Sequence, residues 1–204
     1  MDDKLLLESF FPSHNFNAIH NFKPGSGKSP SFFFFSDNKV LMIKTLKDSE
    51  FDILFKTDFL LDYFNHLKNN PRSLLSRILG VFEVKVSNSS PMIFFITENM
   101  LGDDCMAIKR CFDLKGSLHK RLTKISENEK VFGSGLNVLK DQNFLETDPL
   151  GISAEQKDSL MKMIELDTQL LRKHRLIDYS IFLLEVDRQL RLTTKSSLTY
   201  DMIN

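Results

Sequence analysis

The chain has 204 residues, with 27 basic and 27 acidic side chains and a formal net charge of zero. That length suits one good core or two small lobes, and the neutral balance excludes broad nucleic-acid binding, which needs a basic excess. Two cysteines and five histidines show no zinc-type spacing, so Cys105 and Cys111 read as reduced thiols.

In chain order, residues 4–10 predict a short helix. The run KPGSGKSPSFFFF follows, and its GSGKS at 25–29 invites a P-loop reading. That motif needs glycine five positions before Gly27, where Phe22 stands. It also needs a helix next, whereas Phe32 to Phe35 favour a strand. The pattern is instead a glycine loop feeding a hairpin, with strands at 31–36 and 39–45 and Asp37-Asn38 at the turn. The second strand carries Lys44. Such a layout is that of a protein-kinase-like nucleotide site: glycine lets backbone N–H groups approach phosphates, and the strand lysine neutralises charge. A glycine-serine turn with an ordinary surface lysine is the alternative for this segment alone.

Apolar residues at helical spacing predict one long helix over 50–69, with Asp48 or Ser49 as cap and Pro71 beyond its end. Strands are predicted at 78–86 and 92–97, around an Asn88-to-Pro91 turn. A five-stranded or similar antiparallel sheet with one long helix packed on it follows. In the second half, Cys111 to Leu114 predicts a strand and 125–137 a loop. Ser153 and Gln156 form a capping box for a helix running to about His174. Asp178 then precedes the apolar strand 181–186, where kinase-like folds carry a catalytic carboxylate.

Five segments in order resemble the signatures of the phosphatidylinositol phosphate kinases: GKSPSFFFF from Gly27, MIKT with Lys44, FDLKGSLHKR from Phe112, LKDQNF from Leu139 and IDYSIFLL from Ile177. They span roughly residues 9–186. The resemblance implies an α+β, two-lobed, kinase-like fold of the SAICAR synthase type. An N-lobe of about 1–100 would hold an antiparallel sheet and one long helix, and about 101–204 would form a partial C-lobe. It implies MgATP-dependent phosphorylation of the inositol ring of a phosphatidylinositol monophosphate. The alternative is a pseudokinase that binds nucleotide or phosphoinositide as a scaffold.

By the same resemblance, Gly27, Lys28, Ser29 and Ser31 would lie over the ATP phosphates and Lys44 would pair with them. Glu50 would position Lys44, or else is an acid favoured by the helix dipole. Glu98, Asn99 and Met100 would form the hinge beside adenine. Asp113 and Lys115 would sit at the phosphates, and Asp178 would orient or deprotonate the inositol hydroxyl. Lys109, Arg110, Lys115, His119, Lys120, Arg121 and Lys124 form a basic cluster, read either as a solvated face or as an attachment to an anionic membrane surface. The implied partners are a phosphoinositide head group and that surface, and the implied location is cytoplasmic and peripheral to membranes.

Three positions depart from the family pattern: Pro30 in the loop, Asn143 for the second acid of its KDxDF segment, and Leu184 for a glycine. No IID-type segment follows Val186, so the magnesium ligand is unknown. The expectation is either a fragment or split half of a kinase, with a missing C-terminal half or a partner chain to supply it, or a degenerate kinase that binds without catalysing.

Overall fold

The computed structural model describes residues 3–20, 33–85, 91–100, 107–125, 137–187 and 189. The chain divides into two units, one of residues 1–103 with 160–174 and one of 104–159 with 175–204.

In the first unit, the phenylalanine run gives β1 (Phe33–Phe35) and the apolar run before the lysine gives β2 (Leu41–Thr45). β3 (Ile78–Val84) and β4 (Met92–Glu98) complete a sheet of order β1-β2-β4-β3, antiparallel throughout. Among the described residues this sheet has four strands, not five. Its register sets Lys44 opposite Phe95 and Met42 opposite Thr97, and a bulge interrupts β3 between Ile78 and Gly80.

The single long helix expected over 50–69 is two helices, α3 (Asp48–Lys56) and α4 (Phe59–Asn69). Thr57 makes the break. Its hydroxyl donates to the Ile53 carbonyl (2.6 Å) and accepts the Phe59 N–H (3.1 Å), closing one helix and opening the next. Leu54, Phe59 and Tyr63 are buried along with Leu41 and Ile96 of the sheet. The Tyr63 hydroxyl donates to the Ser76 carbonyl (2.6 Å) and accepts the Ile78 N–H (2.9 Å), pinning the entry to β3.

Two helices precede the sheet: α1 (Asp3–Phe10) matches expectation, and α2 (Pro12–His20) is additional. Asn15 lies buried between them and the β1–β2 turn. Its amide donates to the Ser9 and Phe11 carbonyls (2.9 and 3.0 Å), and its carbonyl accepts the Asp37 N–H (2.9 Å).

The longest helix, α6 (Ala154–Lys173), contributes its residues from 160 onward to this unit. Buried Asp167 meets His66 Nε2 (2.6 Å) and accepts the Ser73 hydroxyl and the Leu74 N–H (2.7 Å each). Asp62 of α4 meets Lys173 (2.5 Å) and His174 (2.7 Å), and those hydrogen bonds, Lys173 first, hold its carboxyl below the usual range.

The second unit is built on β5 (Ile108–Leu114), flanked by parallel β6 (Val138–Leu139) and antiparallel β7 (Ile181–Val186). Ile108, Cys111, Phe112 and Leu139 form its buried centre, with Phe112 edge-on to Phe144 of α5 (Asp141–Leu145). Burial pushes the Cys111 thiol up. The expected capping box is present: Gln156 N–H donates to Ser153 Oγ (3.2 Å), and Ser153 N–H donates to Gln156 Oε1 (2.9 Å). No helix among the described residues is long and apolar enough to cross a membrane.

Candidate functional site

Gly27, Lys28, Ser29 and Ser31, with Pro30, lie outside the described residues. Lys44 stands on β2, where strand alternation puts it on the same face as its partner Phe95. Its ammonium is 3.5 Å from Glu50 Oε1 and 5.6 Å from the Phe95 ring centre. Glu50 Oε2 accepts the Lys47 N–H (2.9 Å) at the start of α3. One carboxylate therefore performs both roles considered for it, capping the helix and pairing the strand lysine. Beyond β4, Asn99 N–H donates to the Val40 carbonyl (2.8 Å) and its amide to the Lys39 carbonyl (2.7 Å). These bonds fix the point where the chain leaves the sheet. Glu98 and Met100, on either side, are exposed or largely so.

In the second unit the DLKGS segment leaves β5 as a tight turn. Gly116 has φ +68°, and a Cβ there would meet nothing within 4 Å, so the requirement for glycine is conformational, not steric. Asp141, at the first position of α5, organises the turn. Its Oδ1 accepts the Lys115 and Gly116 N–H groups (2.9 and 2.8 Å), and its Oδ2 accepts Arg121 Nε (2.7 Å). Successive N–H groups around an αL glycine make a natural anion nest, and this carboxylate fills it. Burial opposes the charged form of Asp141. The Arg121 hydrogen bond and the backbone N–H donors outweigh it and hold the carboxyl at about 2. Arg121 Nη2 also donates to the Asp113 carbonyl and to its carboxylate (3.1 Å).

The Lys115 side chain, only a quarter exposed, donates to Asp178 Oδ1 just before β7. This bond, the largest influence on Asp178, keeps its carboxyl below the ordinary range. Asp178 has φ +63°, a conformation that a residue other than glycine holds at some cost. Sixty-three residues of sequence separate this lysine from its partner. The structure thus brings together three of the expected residues, Asp113, Lys115 and Asp178, and adds Arg121 and Asp141.

Two expectations change. Arg121 is not a surface cation, since its side chain is 12% exposed and shared between two carboxylates. Lys109 and Arg110 also face carboxylates, Asp187 (3.2 Å) and Glu185. His119, Lys120 and Lys124 remain exposed. Asn143 does more than lack a charge. Its Oδ1 accepts the Thr123 and Lys140 N–H groups (2.9 and 3.2 Å), and its Nδ2 donates to the Thr123 carbonyl (3.0 Å). A signal for Asp141 existed in LKDQNF. Arg121 had none beyond its place in a basic run. Among the described residues no three His, Cys, Asp or Glu side chains converge as a metal site.

A mixed α+β fold whose four-stranded antiparallel sheet sets a strand lysine beside a helix carboxylate is compatible with a kinase-like class of protein. Comparison with known proteins narrows the class. Residues 15–200 match the model of the family described as Phosphatidylinositol-4-phosphate 5-Kinase. The Plasmodium falciparum (isolate 3D7) phosphatidylinositol 4-phosphate 5-kinase is 33% identical over 160 residues, covering 76% of this chain and 9% of that protein. Phosphatidylinositol 4-phosphate 5-kinase 9 of Arabidopsis thaliana is 34% identical over 158 residues, 77% of this chain and 18% of its own length. The human type-1 alpha enzyme is 32% identical over 160 residues, 78% and 27% respectively. The chain belongs to the phosphatidylinositol-4-phosphate 5-kinase family. It spans less than a third of the length of these curated relatives.

Proposed function

We propose that this chain carries the phosphoryl-transfer core of a phosphoinositide kinase, moving the γ-phosphoryl group of ATP to a ring hydroxyl of a phosphatidylinositol monophosphate. The observation that carries this reading is the Lys115–Asp178 pair on a turn clamped by Asp141. The names of the relatives above support it. The finer architecture belongs to the same proposal. Residues up to about 100 are the N-lobe and those from about 101 onward part of the C-lobe of a two-lobed kinase fold, although residues 160–174 cluster with the first unit.

In the first unit, Lys44 neutralises nucleotide phosphate while Glu50 limits where its ammonium can go. Gly27, Lys28, Ser29 and Ser31 supply loop contacts to the phosphates, and Glu98 to Met100 flank the base. In the second unit, Asp178 is held ionised by Lys115, so it is a weak base and an effective acceptor. Its task is to orient the attacking hydroxyl and take the proton late in transfer. Lys115 supplies positive charge to the moving phosphoryl group. Arg121, locked between two carboxylates, holds the turn and does not reach substrate.

Kinases of this class use magnesium with ATP. Here Asp113 and Asp141 both face Arg121, and Asp178 faces Lys115. The described residues therefore do not assemble a magnesium site. Exposed Lys120 and Lys124, with His119, are the groups left to meet an anionic membrane surface. A cytoplasmic, membrane-peripheral location completes the proposal.

The test is transfer of labelled phosphate from ATP to phosphatidylinositol 4-phosphate in vesicles by the full chain, with Asp178→Asn alongside. A loss of about 100-fold or more is expected, with unfolding in urea unchanged because the Asp178 side chain is 76% exposed. Equal labelling by both forms sinks the role given to Asp178.

A further inference from the structure

The strand lysine has two neighbours of different kinds. Glu50 Oε1 lies 3.5 Å from its ammonium, and the centre of the Phe95 ring lies 5.6 Å away. A ring face attracts a cation out to about 6 Å. The Lys44 side chain is 27% exposed and that of Glu50 38%, so solvent screens the ion pair. The carboxylate by itself is then a loose hold on the ammonium.

The sheet register brings the ring to this place. Phe95 is the middle residue of β4, and it is the direct partner of Lys44 on β2 and of Val81 on β3. Directly opposed residues share a face of the sheet, so the half-buried ring sits beside the lysine by construction. A branched aliphatic residue suits an interior strand as well, and Ile93 and Ile96 of β4 are such residues. What phenylalanine adds is a negative ring face. A carboxylate at this position would also hold the ammonium, but it would repel a phosphate. The ring carries no net charge, so it can hold Lys44 both before and after a phosphate arrives.

We propose that Phe95 is a positioning residue for phosphate binding, holding the Lys44 ammonium in place through the face of its ring and touching no substrate itself. This rests on the nucleotide reading of the first unit. Fluorine drains the ring face of negative charge and changes its shape little, so it separates electrostatics from packing. Equilibrium binding of ATP is measured on the full chain with mono-, di- and trifluorinated phenylalanine in place of Phe95, and on Phe95→Leu, with a thermal melt of each. ATP affinity is expected to fall stepwise along the series, to about twofold to fivefold weaker with three fluorines, at an undiminished Tm. Phe95→Leu, which has no ring, is expected to lose at least as much. A series that is flat or that tightens ATP overturns the inference and leaves the nucleotide reading intact. A loss that follows Tm, and not the number of fluorines, does the same, since packing alone would produce it. A folded wild type that binds no ATP overturns both.

Discussion

Replacing Asp141 by asparagine keeps the shape of the side chain and one acceptor for the Lys115 and Gly116 N–H groups. It removes the charge that faces Arg121. The magnitude follows from the protonation equilibrium. The carboxyl lies at about 2 in the folded protein against 3.8 for the unpaired group. A difference of nearly two pKa units corresponds to stabilisation on the order of 2 kcal/mol near neutral pH. Because the folded-state value is depressed, that stabilisation is fully present well above 3.8. It is lost as pH falls from there through about 2. Urea unfolding of wild type and Asp141→Asn across this range measures it. The variant should be less stable by about 2 kcal/mol at pH 7, and roughly half of that gap should remain at pH 3. A gap of constant size across the whole range would show that the charge is not what clamps the DLKGS turn.

Three further outcomes follow from the same geometry. Asn143→Asp turns the amide donor that faces the Thr123 carbonyl into a second acceptor, and it should cost about 1–2 kcal/mol in urea unfolding; a stabilised variant would refute the assignment. Asp167→Ala leaves His66, the Ser73 hydroxyl and the Leu74 N–H without their shared acceptor, and a loss of about 3 kcal/mol is expected by the same method. Lys39→Gly relieves a φ of +57° at the β1–β2 turn. Glycine's greater freedom in the unfolded chain offsets part of that relief, so a net gain of about 0.5–1 kcal/mol should appear as a raised Tm.

Strands were legible wherever aromatic or branched residues ran between turn formers, as in Met92 to Glu98 and Ile181 to Val186. The Ser153 capping box was legible because it is local: four residues contain both of its hydrogen bonds. The break between α3 and α4 was hidden because the apolar spacing of Phe51, Leu54, Phe55, Leu60 and Leu61 runs across it. The clue was the Thr57-Asp58 pair, cap-forming residues inside an apolar pattern. Pro12 at the first turn was an equally usable signal for α2. Arg121 could not be read at all. Its partners lie 8 residues before it and 20 after, and only a folded chain brings Asp113 and Asp141 to one guanidinium. Counting cations along the sequence put it with Lys120 and Lys124, from which burial separates it.

The charges gathered at the DLKGS turn do not balance. Asp113, Asp141 and Asp178 oppose only Arg121 and Lys115, leaving one negative charge in excess. At longer range Lys120 and Lys124, a few residues further along the same loop, more than offset that excess. On the function proposed above, a phosphate at the turn would meet Lys115 only by displacing the Asp178 carboxylate from it. On the same proposal, Lys120 and Lys124 draw an anionic partner in from longer range. Raised salt should therefore slow arrival at this surface far more than it disturbs the exchange at the turn itself.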